Sequence, residues 1–169
     1  HSEPIPWVTY SFIDFIADRI SKEHIIFEFG SGNSTFYYAK RALKVVSVEH
    51  DKSWFDKISA SKPSNSEMIF CELKTAGDYC KMPVSMGQKF DIIIVDGRDR
   101  VNCCYQSLAA LNENGVLVLD DSEREKYSDA IVFLKGKGFK ELSFSGISPG
   151  LFYRKSTSVF YKANNCLGI

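Results

Sequence analysis

The chain has 169 residues, 44% of them hydrophobic and 14% aromatic, and its 21 basic and 21 acidic side chains cancel. That length suits one core and a single domain over residues 1–169, and zero net charge argues against a dedicated nucleic-acid backbone binder, which carries a basic excess. The 5 cysteines are odd in number, with Cys103 and Cys104 adjacent and no CxxC pair, so reduced thiols in the cytoplasm are expected rather than a disulfide framework or a zinc site.

No apolar run reaches bilayer length and no signal-peptide pattern is read at the start, so no membrane partner is expected. An amphipathic segment over Thr9–Ile20 predicts a first helix, within a helical or lid-like segment 1–22 that precedes a core over 23–169. Apolar runs then alternate with helical patterns. Strands are predicted at Ile25–Phe29, Val45–Glu49, Met68–Glu72, Phe90–Val95 and Val116–Leu119. Helices are predicted at Ser34–Leu43 (capped by Ser34 or Asn33), Lys52–Ala60, Val101–Leu111 and Ser122–Lys135, the last ended by Gly136 and Gly138. The run "FDIIIVDG" is almost wholly β-branched and apolar, which suits a central parallel strand covered on both faces. Phe139–Phe144 and Thr157–Tyr161 read as two strands separated by only a loop, hence antiparallel. Alternating units closed by such a pair predict an α/β protein built as a three-layer αβα sandwich.

The first strand ends in "EFGSGNST". Gly30 and Gly32 allow a tight turn into a helix and a close approach of backbone to ligand. A dinucleotide fingerprint wants a third glycine where Thr35 stands, and no Gly-Lys-Ser/Thr ending makes a P-loop. Glu28 before the turn suits a cationic group and would repel a pyrophosphate. Glu49 ends the second strand about twenty residues on, where an acidic side chain accepts hydrogen bonds from ribose hydroxyls. An adenosine with a cationic amino-acid end and no phosphates describes S-adenosylmethionine.

The chain resembles the class I S-adenosylmethionine-dependent methyltransferases over nearly its whole length. "EFGSGNST", "VVSVEHD", "FDIIIVDGRDR" and "LNENGVLVLDD" look like that family's first-, second-, fourth- and fifth-strand motifs. The resemblance implies a mostly parallel seven-stranded sheet with the antiparallel pair at its C-terminal end. It implies S-adenosyl-L-methionine as cofactor, held by Glu28, Gly30, Ser31, Gly32, Asn33, Ser34, Glu49, His50, Glu72 and Asp96. Gly30 and Gly32 would lie under the methionine part, Glu49 would hold the ribose, and Glu72 would lie near the adenine. A small molecule is the expected acceptor, with Asp96 and Asp121 as candidate catalytic carboxylates for removing its proton.

Asp96, Asp120 and Asp121 also make an alternative divalent-metal set, similar to that of metal-dependent O-methyltransferases; no metal is the preferred reading. Arg98, Arg100 and Arg124 cluster near the same strand ends, and Arg98 and Arg124 are candidates to clamp an anionic acceptor. Trp7 and Tyr10 either line the acceptor pocket or pin the first helix. The competing readings are a non-catalytic module that binds S-adenosylmethionine or S-adenosylhomocysteine and a small NAD-linked oxidoreductase. The C-terminal "NNCLGI" suggests no chemistry.

Overall fold

The structure, a computed structural model, describes residues 3–169. Its seven-stranded sheet comprises β1 (Ile25–Phe29), β2 (Lys44–Glu49), β3 (Ser66–Phe70), β4 (Phe90–Val95), β5 (Leu111–Asp120), β6 (Lys140–Gly146) and β7 (Lys155–Tyr161), in the order β3-β2-β1-β4-β5-β7-β6. β1 to β5 pair in parallel, while β7 runs antiparallel to both β5 and β6. The predicted three-layer α/β sandwich with an antiparallel terminal pair is the observed fold.

Period-two alternation splits the apolar side chains between the two faces of the sheet. Phe27, Phe29, Val46, Val48, Ile93, Val95, Leu117 and Leu119 face one core. There they pack on α4 (Asp78–Ser85), α5 (Arg100–Ser107) and α6 (Ser128–Gly136). Ile26, Val45, Ile92, Ile94, Val116 and Val118 face the other core, closed by α1 (Tyr10–Ala17) and α2 (Asn33–Arg41). The C-terminal "NNCLGI" belongs to this second core: Leu167 is buried in it, and Cys166 donates its N–H to the Asn114 carbonyl (2.7 Å). Helix α3 (Lys52–Ser59) lies against β2 and β3, capped by Asp51, whose carboxylate accepts the Trp54 N–H.

Three expectations need correction. Helix α4 is absent from the sequence reading because Gly77 and an internal Pro83 make its segment look broken; Tyr79, Cys80 and Pro83 nevertheless bury a face in the core. β3 stops at Phe70, so Glu72 lies beyond the strand. The helix expected from Ser122 begins at Ser128, after a 3₁₀ turn over Glu125–Tyr127. The intervening chain is held back as a turn, with Asp121 at φ 54 and the Ser122 N–H donated to the Ser156 carbonyl.

Strand order reverses between β1 and β4, and this switch point places the turns after β1 and β4 side by side. A Cβ on Gly97 would run into the Tyr79 hydroxyl and lie 3.0 Å from the Phe29 carbonyl. Position 97 therefore takes glycine because the β1 backbone and a core tyrosine already fill the space.

Candidate functional site

The turn after β1 is built from within. Glu28 is only 2% exposed. Its Oε1 accepts the Thr35 hydroxyl and, at 2.6 Å, the hydroxyl of Ser47, its register partner on β2. Thr35 in turn accepts the Gly32 N–H (3.2 Å), and Gly32 sits at φ 144, where a side chain would be strained. Gly32, rather than Asn33 or Ser34, is the N-cap of α2. With hydroxyls but no cation beside it, the Glu28 carboxyl is pushed up to about 7 by burial, against the lowering effect of Ser47 and Thr35. Glu28 thus holds the turn's geometry from behind and lines neither cavity, away from the direct cofactor contact expected of it.

Glu49 is aimed differently. Its Oε1 accepts the backbone N–H groups of His50 (2.8 Å) and Asp51 (2.9 Å), and Oε2 accepts the Ser31 hydroxyl (2.9 Å). The His50 ring nitrogen Nδ1 lies 3.0 Å from Oε1. The carboxylate is fixed in orientation and lines a cavity of about 450 Å³ with Gly30, Ser31, Ser34, His50, Asp51, Asp96 and Arg98. A second cavity of about 420 Å³ adjoins it, lined by Trp7, Ser31, Gly32, Asn33, Ser34, Trp54 and Asp96. Trp54 forms a shared wall: its indole N–H donates to the Ser31 carbonyl (2.9 Å), and Gly32 packs against its ring. Asp96 borders both cavities.

Behind Asp96 lies a charge cluster. Arg100, 10% exposed at its side chain, donates to the carbonyls of Gly97, Asp96 and Asp120 and reaches Asp96 Oδ1 and Asp121 Oδ2 at 3.2 Å. Lys155, from the start of β7, is 4% exposed and spends its ammonium on Asp120 Oδ2, Asp121 Oδ1 (2.8 Å) and the Trp7 carbonyl (3.1 Å). Thr157 donates to Asp120 Oδ1 (2.7 Å) and accepts the Thr9 N–H (3.2 Å). Burial alone would lower the Lys155 ammonium, but Asp120 and Asp121 hold it above its ordinary value. Burial likewise works to raise Asp121, and Lys155, Arg100 and Arg124 outweigh it, holding that carboxyl low. Asp96 Oδ1 is met by Arg100 at 3.2 Å, with the like-charged Asp120 beside it. Its carboxyl is raised well above the usual aspartate range, first by burial and then by the charge of Asp120. Asp96 is therefore the member of the cluster suited to hold a proton.

Glu49, His50, Asp96 and the Gly30–Ser34 turn converge on the cavities, and Arg98 lines the first of them. Four further residues of the expected site lie outside both cavities, as Glu28 does. Glu72 is exposed beyond β3 and lines neither cavity. Tyr10 lines neither cavity and begins α1, its N–H donated to the Ile147 carbonyl. Asp121 is 5% exposed and bound by Lys155, Arg100 and Arg124, so it is not free to act as a base. Arg124 is paired with Asp121 (3.0 Å) and Glu123 (3.9 Å) rather than turned to a substrate. The alternative metal set meets the same obstacle: ammonium and guanidinium groups occupy the oxygens of Asp120 and Asp121 that a cation would need. No group of three or more metal-ligating side chains is found among the described residues.

Lys155 and Trp54 escaped the sequence reading. Nothing local marks Lys155, because the Asp120–Thr157 register that brings β7 to β5 spans 37 residues of chain. Trp54 could have been found from its place in the first turn of the helix after Glu49.

No protein-family model matches the sequence, and no curated protein does. Solved structures do match the fold. A methyltransferase-like protein from Silicibacter pomeroyi superposes with a TM-score of 0.66 at 19% identity, covering 94% of this chain and 89% of that one. An rRNA methylase from Streptococcus thermophilus gives 0.65 at 16% identity, with 90% and 95% covered. Aeropyrum pernix fibrillarin, solved with natively bound S-adenosyl-L-methionine, gives 0.63 at 12% identity, with 84% and 68% covered. The chain therefore has the fold these methyltransferases share.

Proposed function

We propose that the chain is a methyltransferase that transfers the methyl group of S-adenosyl-L-methionine to a small acceptor bearing an anionic group. The observation that carries this reading is the convergence of Glu49 and Asp96 with the Gly30–Gly32 turn at the switch point of a methyltransferase fold. The donor set fits the cofactor. Carboxylates of Glu49, Asp51 and Asp96 line the first cavity, and its cations are Arg98 and Arg100, the latter engaged with protein carbonyls and carboxylates. Such a lining favours hydroxyls and a cationic amino-acid end over a pyrophosphate.

In this reading Glu49, pre-oriented by the His50 and Asp51 N–H groups, accepts the ribose hydroxyls. The Gly30–Ser34 turn presents bare backbone to the methionine part, and Asp96 stands beside its ammonium and the acceptor. The cofactor supplies an electrophilic methyl on a sulfonium. Asp96 accepts the proton of an acceptor hydroxyl on its carboxylate. That proton is held readily: Asp96, Asp120 and Asp121 oppose the two deeply buried cations Arg100 and Lys155, so protonating Asp96 balances the buried charge. The base form of Asp96 gains population as pH rises, so turnover limited by this step rises with pH, and Asp96→Asn removes that limb. Arg98 at the cavity's edge supports an anionic acceptor. Zero net charge supports a small molecule over a nucleic acid, and the five unpaired thiols support a reducing, cytoplasmic setting. No helix among the described residues is long and apolar enough to cross a membrane.

Calorimetric titration with S-adenosylhomocysteine and with NADH tests the reading. Saturable binding of S-adenosylhomocysteine, lost in Gly32→Arg, is expected. Retention of NADH with no S-adenosylhomocysteine binding would overturn it.

A further inference from the structure

Both tryptophans of the chain line one cavity, and neither ring is buried: Trp7 is 64% exposed and Trp54 39% exposed. An exposed tryptophan leaves a large apolar face in water, and two of them on one concave wall form a prepared surface. Trp54 is fixed through its ring N–H on the Ser31 carbonyl (2.9 Å), with the Lys57 ammonium 4.8 Å from its ring centroid, and the backbone of Trp7 is tied through its carbonyl to the buried Lys155 ammonium (3.1 Å). Fixing the Trp54 wall before the ligand arrives lowers the ordering cost of binding.

We propose, on the basis of the methyltransferase reading above, that this cavity is the acceptor subsite. It takes a planar aromatic ring that carries an anionic substituent. The ring stacks against Trp7 and Trp54, its acceptor hydroxyl faces Asp96, and its anionic group lies toward Arg98 in the adjoining cavity. The two cavities share Ser31, Ser34, Trp54 and Asp96, so one ligand reaches both. Glu49, His50 and Asp51 line only the first cavity, while the Gly32–Ser34 edge of the tryptophan-walled one takes the cofactor's methionine end, so the acceptor ring occupies the side bounded by Trp7 and Asp96. Arg98, in the adjoining cavity, joins none of the ion pairs among the described residues and is the cation left for the ring's anionic substituent. An aliphatic acid would leave both indole faces poorly matched.

The test uses the unmodified protein, whose two tryptophan emitters both line the cavity. Its fluorescence is titrated with 4-hydroxybenzoate, cyclohexanecarboxylate and phenyltrimethylammonium, with and without saturating S-adenosylhomocysteine. The expected result is saturable quenching by 4-hydroxybenzoate, with an affinity about tenfold above that for the other two ligands, as stacking plus a charge-assisted contact implies. Arg98→Ala should weaken that binding about fivefold. S-adenosylhomocysteine should leave the aromatic acid bound. Equal affinity for the three ligands, no saturable binding of the aromatic acid, or its competitive displacement by S-adenosylhomocysteine would each overturn the assignment. Calorimetry of S-adenosylhomocysteine on the unmodified protein is read separately. Failure there sinks the cofactor reading, while the tryptophan titration still reports whether the slot takes aromatic acids.

Discussion

Two regions at the carboxyl end of the sheet bury acidic side chains, and they do it by opposite means. Beneath the β1 turn, Glu28 sits among the hydroxyls of Thr35 and Ser47 with no cation in contact, and its carboxyl rises to about 7. At the ends of β4 and β5, Asp120 and Asp121 are met by Lys155 and Arg100, and Asp121 is held low. Glu28 is an uncharged strut below neutral pH, whereas Asp120 and Asp121 are ions locked into a lattice of ions. Asp96, at the edge of that lattice and bordering both cavities, combines access to them with a proton affinity raised first by burial and then by the charge of Asp120. A carboxylate's role at a strand end is thus set by what the neighbouring strands bring to it, not by its place in a motif.

The largest effect should come from breaking the ionic region. Lys155→Met strands Asp120 in the core and releases the Trp7 carbonyl; a loss of about 3–5 kcal/mol in urea unfolding is expected. Pairing it with Asp120→Asn should recover part of that loss. A destabilisation below about 1 kcal/mol would mean that the two regions are not different in kind.

The uncharged region should respond to pH instead. Glu28 binds its proton more tightly folded than unfolded, so its contribution is present in full below about pH 4.5 and declines as pH rises to about 7. The loss amounts to about 3 kcal/mol at most. Glu28→Gln should flatten this slope, matching the parent protein near pH 4.5 and exceeding it at pH 8. Unfolding curves with parallel pH slopes would refute the strut.

Between the two regions, Gly97→Ala forces a methyl group against the Tyr79 hydroxyl and the Phe29 carbonyl. A cost of about 1–3 kcal/mol is expected, together with weakened S-adenosylhomocysteine binding. The smallest effect belongs to Arg124→Ala, which removes a half-exposed partner from Asp121 and should cost no more than about 1 kcal/mol by thermal unfolding.

The central sheet was legible because its signal is local. β1 and β4 match the predicted spans residue for residue, since each is a short apolar run ended by a carboxylate and a glycine. The glycine turn and Glu49 were legible for the same reason. The direction of Glu28 was not, because it depends on Ser47 standing opposite it on β2 and on Thr35 one helical turn into α2. Lys155 was hidden more deeply, since its meaning arises only when β7 inserts antiparallel beside β5. Helix α4 was obscured by Pro83, a residue that weakens local propensity while its ring is buried in the core.

The measurement that bears most directly on this contrast is calorimetric binding of S-adenosylhomocysteine to the parent protein, Glu49→Gln and Glu28→Gln side by side. The account predicts a loss of about tenfold or more in affinity for Glu49→Gln, whose carboxylate lines the cavity, and a change of less than about threefold for Glu28→Gln, whose carboxyl is sealed behind the turn. Abolished binding in Glu28→Gln beside intact binding in Glu49→Gln would contradict it.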